Sequence, residues 1–466
     1  MKFNKVICLY PYFQEVPIYE FFPPLGLEFI AGAIKDFVRD ICIIDLRYEK
    51  NFRELITDDV DLLCISVNWH YETESVIEII RSLPKDIMTV VGGKYATENV
   101  EELFSACPNI DIIVRGDGEE TMREFITSGS PEQVSGISYR HNGNIIHNEN
   151  RLLKPVSNTL YPDRNLRRYT YKVSYQKVNL GYSFDTMMSS RGCPFNCKFC
   201  SFKRNPLGQK RDWSARTPES VINELREINA GVVAFLDDNF FADIKRAERI
   251  CELIIKEKLN KIFFANARIS IAFHPELLKK MYAAGFRLLM IGIESAQDKS
   301  LKSLNKGFTT EDVRDAFRVF RKSNMLTNGY FIVGLIGETE REMLEIAPFS
   351  KKIGVDFISL NRLRYEKYSG LKDLLEAHRD YYIGESNRIY SKNYGPREIN
   401  RILKKIRAEF FDTKKIISLI FKGLRIGFPG WIFFLHLPIA LPQILLRLKN
   451  RKKSRAVTTS GTNRCG

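Results

Sequence analysis

The chain has 466 residues, 44% apolar and 27% charged, with a formal net charge of +15. That length holds two or three globular domains of about 150 residues each, and the balance is that of a folded protein, not of a disordered or wholly membrane-embedded one. From Arg401 onward fifteen Lys and Arg face only Glu409 and Asp412, so this last segment carries +13 and the rest is nearly neutral. Nine cysteines show no disulfide framework, and Cys8, Cys42 and Cys64 lie in apolar runs where a thiol acts as a small core residue. Unpaired thiols and an N-terminus that passes directly into a strand-like run predict a reducing, cytoplasmic location.

Over the first 135 residues, strand-like apolar runs at 5–9, 41–46, 61–67, 87–91 and 110–114 alternate with helical patterns such as 26–38, 76–82 and 100–106. Continuously apolar strands suit a parallel sheet covered on both faces, so a doubly wound α/β domain is expected. Such sheets bind ligands at the carboxyl ends of their strands. Those ends carry Ser66, the pair Gly92-Gly93, and Arg115-Gly116-Asp117-Gly118-Glu119, where glycines let a large ligand approach the backbone. A hairpin at 136–144 and a polar linker follow, giving a connecting segment over 136–180.

A second α/β series is expected over 181–365, with strands at 186–190, 232–237, 261–267, 287–293, 327–333 and 356–361. Thr217 with Pro218 reads as a helix start, and Val313, Phe317 and Phe320 repeat at helical spacing. Six such β/α units make a partial barrel, which places chemistry at its strand ends. Directly after the first of these strands the chain reads Arg191-Gly-Cys-Pro-Phe-Asn-Cys-Lys-Phe-Cys200. Three thiolates spaced C-x3-C-x2-C can hold three irons of a 4Fe-4S cluster and leave the fourth iron open. The alternative is zinc with a distant fourth ligand, for which Cys251 and His274 are the next candidates.

The cysteine motif and its surroundings resemble the radical S-adenosylmethionine (SAM) superfamily. With the Phe22-Pro-Pro-Leu-Gly-Leu27 stretch and the glycines above, the chain is similar to the branch in which a cobalamin-binding domain precedes the radical domain. The resemblance covers roughly residues 1–360. It implies that Cys193, Cys197 and Cys200 hold the cluster, that SAM binds the open iron, and that Phe199 lies near the SAM adenine. It further implies SAM contacts from Asp237 and Asp238 (amino group), Arg268 (carboxylate) and Glu294, and cobalamin contacts from Ser66, Gly92, Gly93, Gly116 and Glu119. For Asp238 and Arg268 a cap or surface ion pair is the alternative. The wider cobalamin-binding family ligates cobalt through a D-x-H-x-x-G motif, which is missing here, so cobalamin without a lower histidine ligand is implied. Gly334-Leu-Ile-Gly-Glu-Thr339 resembles the family's Gly-x-Pro-Gly-Glu-Thr turn, whereas 363–370 departs from its usual Pro-Gly-Thr turn.

The implied activity is radical methylation of an unactivated carbon, with flavodoxin or ferredoxin as electron donor. The rivals are a radical oxidative cyclase or rearrangement enzyme acting on a tetrapyrrole or lipid, and a non-catalytic cobalamin-binding sensor or scaffold. The region 366–466 is expected to be helical and basic. Within it, 426–446 are twenty-one uncharged residues broken by Pro429, Pro438 and Pro442 and bracketed by basic clusters. That pattern predicts a segment lying in or along an anionic cytoplasmic leaflet, with a buried helix pair as the alternative. It argues against nucleic-acid binding and suggests a hydrophobic or membrane-partitioning substrate.

Overall fold

The computed structural model describes residues 3–12, 21–158, 160–175 and 178–426. Its first sheet contains β1 (Lys5–Tyr10), β2 (Asp40–Asp45), β3 (Val60–Ser66), β4 (Met88–Gly92), β5 (Ile112–Val114), β6 (Ile137–His141) and β7 (Asn144–His147). The strand order is β2-β1-β3-β4-β5-β6-β7. β1 to β5 are parallel, and their buried Val, Ile and Leu side chains pack against helices such as Leu25–Ile34 and Glu119–Ser128. The hairpin expected to open the linker instead joins the sheet, β6 pairing antiparallel with β5 and β7 antiparallel with β6. The first domain therefore extends to His147, because Ile137 and Tyr139 are buried against its core.

The second sheet is built from β8 (Lys172–Tyr175), β9 (Val178–Met187), β12 (Val232–Phe235), β13 (Ile262–Ala267), β14 (Phe286–Glu294), β15 (Leu326–Val333) and β16 (Phe357–Arg362). Between β9 and β12 lies the two-residue ribbon of β10 (Ser190–Arg191) and β11 (Ser214–Ala215). The sheet order is β16-β15-β14-β13-β12-β9-β8, parallel from β9 to β16, which gives the expected six-stranded partial barrel plus one antiparallel edge strand. The first barrel strand starts at Val178, not at residue 186. Asn179, Gly181, Ser183 and Asp185 interrupt its apolar pattern, so only its end reads as a strand.

Strand alternation divides this sheet into two faces. Val233, Phe235, Phe263, Leu289, Ile291, Phe331 and Ile358 join the helices in the main core. Phe264, Asn266, Met290, Tyr330 and Ser359 point to the other, half-buried face. Buried charges tie the two sheets together: Arg167 pairs with Glu28 at 2.6 Å and with Asp185 at 2.8 Å, and Arg164 reaches Asp185 and Glu224. The region after residue 366 is not wholly helical, since a small antiparallel pair (Tyr381–Ile383 with Ile389–Ser391) precedes the helices Pro396–Phe410 and Thr413–Arg425. Of the apolar stretch 426–446, all but Ile426 lies outside the described residues.

Candidate functional site

The cysteine loop is clamped at its base. β10 and β11 pair across it, so residues 192–213 leave the barrel and return at one point. Gly192 has φ +84°, and a Cβ there would sit 2.9 Å from the Asp212 carbonyl, so this position requires glycine. Its amide donates to Asp238 Oδ2 at 2.7 Å. Ser189 donates its amide and hydroxyl to Asp237 at 3.1 and 2.7 Å, and the Ser190 hydroxyl also donates to it. The acids expected at the SAM amino group are thus committed to the base of the loop. Burial raises both carboxyls, that of Asp238 to about 6.

At the far side, Lys198 donates its amide to the Leu304 carbonyl at 2.9 Å and Asn305 donates to the Asn196 carbonyl at 2.9 Å. Asn239 Nδ2 approaches Cys193 Sγ at 3.7 Å, and Arg268 Nη1 approaches Cys197 Sγ at 3.6 Å. The Arg268 guanidinium lies 3.8 Å from the Phe195 ring centre and also donates to the Lys306 carbonyl. Lys306 Nζ sits 5.7 Å from the Phe199 ring centre and 3.2 Å from Glu294 Oε1. Glu294 occupies a bulge with φ +77°, where the register between β14 and β15 shifts. The structure therefore brings Cys197, Phe199, Arg268 and Glu294 together, with Lys306 as an unforeseen fifth member.

Burial pushes the Cys193 thiol up and the Cys200 thiol up to about 12, with the neighbouring cysteines acting in the same direction. These thiols hold protons until a metal displaces them. A single ion needs its donors within about 2.3 Å of one point. Among the described residues no three His, Cys, Asp or Glu side chains are gathered that closely. Three thiols on one loop are the donor set that a 4Fe-4S cluster with one open iron would take.

In the first domain, a cavity of about 210 Å³ at the carboxyl ends of β3, β4 and β5 is lined by Ser66, Gly92, Gly93, Gly116 and Glu119, so all five expected residues meet there. Gly93 has φ +106°, and a Cβ would fall 2.6 Å from both Asn68 Oδ1 and the Val67 carbonyl. Gly26 also lines the cavity, and a Cβ there would meet nothing within 4 Å, so the glycine leaves open space. The volume is below the roughly 300–1,000 Å³ of ordinary ligand pockets, so it suits one arm of a large ligand. His70 lies outside this lining and is held instead by Glu98 at 3.2 Å and Asn387 at 3.3 Å.

The two sites adjoin. Arg191, two residues before Cys193, lines the cavity and contacts both Glu119 and Asp117, while Arg211 from the end of the same loop binds Asp117 at 2.7 and 2.9 Å. Pro206, within the loop, lines the cavity too. Glu119 thus reaches the cavity but spends its carboxylate on Arg191. Sequence reasoning missed Arg191, Arg211, Asn239 and Lys306. Asn239 stood beside two flagged acids, whereas only the fold brings Lys306 to Glu294.

Taken together, two α/β units face each other through their strand ends, one offering a three-cysteine loop and the other a glycine-lined cavity. This is the architecture of an enzyme that sets a metal cluster against a large cofactor. Residues 187–349 match the radical SAM superfamily and residues 16–126 match the B12 binding domain. An uncharacterized methyltransferase of Pyrococcus horikoshii is 28% identical over 85% of this chain and 89% of its own. The anaerobic magnesium-protoporphyrin IX monomethyl ester cyclase of Rubrivivax gelatinosus is 27% identical over 69% of this chain and 61% of its own length. The hopanoid C-3 methylase of Methylococcus capsulatus is 25% identical over 65% of this chain and 59% of its own. Among solved structures, the radical SAM methyltransferase TsrM from Kitasatospora setae, with cobalamin and a 4Fe-4S cluster bound, superposes with a TM-score of 0.65 at 17% identity, covering 80% of this chain and 75% of its own.

The chain carries a radical SAM domain over residues 187–349 and, ahead of it, a B12-binding domain over residues 16–126. It is a radical SAM enzyme, and its cofactors are a 4Fe-4S cluster, SAM and cobalamin. The residues fit these groups, because the loop presents three thiols and the open space beside Gly26 lies at the mouth of the sheet. Among the described residues no helix is long and apolar enough to cross a membrane.

Proposed function

We propose that the enzyme methylates an unactivated carbon of a hydrophobic, membrane-partitioning molecule. The observation that carries this reading is the Arg191 bridge, which holds the glycine-lined cavity against the cysteine loop so that one substrate can meet both cofactors. When bound, the cluster and SAM supply a one-electron cleavage of SAM and the corrinoid supplies a methyl carrier.

The chain's own residues hold and orient. Cys193, Cys197 and Cys200 are the cluster ligands, with Asn239 and Arg268 donating to two of the sulfurs and thereby tuning potential. Arg268 and Lys306 offer cations to the SAM carboxylate, and Glu294 offers an acceptor to its ammonium, each as a charge-assisted bond. Asp237 and Asp238 position the loop. Ser66, Gly92, Gly93 and Gly116 shape the corrinoid side.

The open face of the partial barrel supports an apolar substrate. Between the strand ends it presents Phe264, Asn266, Met290, Asn328, Tyr330 and Ser359 and, among the described residues of these strands, no charged side chain. The hopanoid methylase relative and the basic C-terminal region, which suits a location on the inner face of a membrane, point the same way. A flavodoxin or ferredoxin is the fitting reductant.

The cyclase relative favours a second reading, radical oxidation or ring closure without methyl transfer. Incubation with methyl-deuterated SAM and candidate polyisoprenoids, hopanoids or tetrapyrrole esters tests both. Deuterium in the product is the expected result, and turnover with an unlabelled product would replace methylation by the cyclase reading.

A further inference from the structure

We propose that the helix Thr413–Arg425 and the basic groove beside it form the membrane-docking site, binding an anionic phospholipid surface. This rests on the reading that the enzyme works at a membrane, and it assigns that contact to the exposed apolar face of the helix ahead of the uncharged stretch. The four cations of this helix read from sequence as lipid ligands, but its structure reverses the usual amphipathic arrangement. Lys422 Nζ pairs with Asp356 at 2.6 Å, Lys415 Nζ donates to the Val355 carbonyl, and Arg425 donates to Asn324 at 2.6 Å. Gly423 and Ile426 are buried beneath the helix.

The helix is thus fastened by a polar face, and its apolar face points outward. Ile416, Ile417, Ile420, Phe421 and Leu424 fall within an arc of about 140° at 3.6 residues per turn. Each is about half exposed or more, reaching 68% at Phe421 and 56% at Ile420. Single exposed apolar residues need no explanation, whereas a contiguous stripe on one helix does.

Charge identifies the occupant. Alongside the stripe lies a groove of about 770 Å³ lined by Arg321, Lys351, Lys414, Lys415, Lys422 and Arg425. Only Asp356 and Asp412 oppose them, leaving a surplus of four positive charges. An apolar stripe edged by cations matches a leaflet of anionic lipid, with acyl chains under the stripe and phosphates in the groove. The chain then continues from Ile426 into uncharged residues as far as Leu446, followed by Arg447, Lys449, Arg451, Lys452, Lys453 and Arg455, a composition that extends the same pattern.

The test uses the full-length, cluster-reconstituted protein in anaerobic co-sedimentation with vesicles of phosphatidylcholine alone or mixed with phosphatidylglycerol. Wild type should prefer the phosphatidylglycerol vesicles. Ile420→Ser with Phe421→Ser should weaken binding at least about tenfold, a loss of about 1.4 kcal/mol. Arg321→Glu with Lys414→Glu should remove the phosphatidylglycerol preference while residual binding persists. These are exposed positions, so iron content and circular dichroism should match wild type. Wild-type binding retained by both variants would overturn this site while sparing the membrane reading, since residues 427–446 would then carry the contact. No binding of wild type to either vesicle would overturn both. A wild-type dimer that Phe421→Ser dissolves, with vesicle binding unchanged, would assign the stripe to a second copy and overturn the proposal.

Discussion

Replacing Arg191 by Met tests how the two cofactor domains are held in register. The guanidinium serves Glu119 and Asp117 and lies over the Phe29 ring at 5.4 Å, so one side chain joins the cysteine loop to the cavity lining. Removing one partner of a buried pair costs roughly 3–5 kcal/mol, because the other charge is left without compensation. Asp117 keeps Arg211, so only Glu119 is orphaned, and the side chains of Arg191 and Glu119 retain 21% and 12% exposure, which admits some solvent screening. We therefore expect Arg191→Met to destabilise by about 2–3 kcal/mol in urea unfolding. In the double variant with Glu119→Gln, much of that loss should be recovered, giving a coupling of about 1–2 kcal/mol. Corrinoid retention should fall in the single variant, since the cavity wall loses its clamp. A coupling under about 0.5 kcal/mol, within the error of additive sites, would refute the reasoning and make the contact an incidental surface pair.

Three further outcomes follow from particular geometries. Gly93→Ala forces a Cβ to 2.6 Å from the Val67 carbonyl at φ +106°, so it should destabilise by roughly 2–3 kcal/mol and impair corrinoid binding, as read by thermal melts and absorbance. Glu338 in the Gly334–Thr339 turn accepts from the Gly334 and Leu335 amides at 3.2 and 3.1 Å, and burial pushes its carboxyl up to about 8. Between the ordinary carboxyl range and pH 8 the folded state keeps a proton that the unfolded state releases, so stability is lost as pH rises through that window. Glu338→Gln should therefore match wild type near pH 5 and melt higher near pH 9; equal melting temperatures at both pH values would contradict the burial. Met290→Lys places a cation on the uncharged open face and should cut turnover of an apolar substrate at least about tenfold, while uncoupled SAM cleavage persists; unaffected product formation would move the substrate elsewhere.

The parallel strands β1 to β5 were legible because they are apolar on both faces, and so were the cysteine loop and the glycines at the strand ends. The start of β9 was hidden because polar residues alternate through it. Asp237 and Asp238 were recognised as special, but their partners, the Gly192 amide and Ser189, lie 46 and 48 residues earlier at the entry of the cysteine loop, so their positioning role emerged only with the fold. Lys306 and Arg191 gave no local signal. Each is an ordinary basic residue until tertiary structure sets it against Glu294 or Glu119. The helix Thr413–Arg425 shows the same limit: its basic residues were visible, but not the side of the protein they face.

Cys193, Cys197 and Cys200 are proposed to hold an open-iron cluster opposite a corrinoid. The most direct test is anaerobic purification with cobalamin present during expression, followed by iron count and absorbance on one sample of wild type and of the triple cysteine-to-alanine variant. Wild type should carry about four irons per chain together with corrinoid, and the variant should lose the iron while keeping the corrinoid. Iron that persists in the variant, or wild type that takes up neither group, would contradict the account.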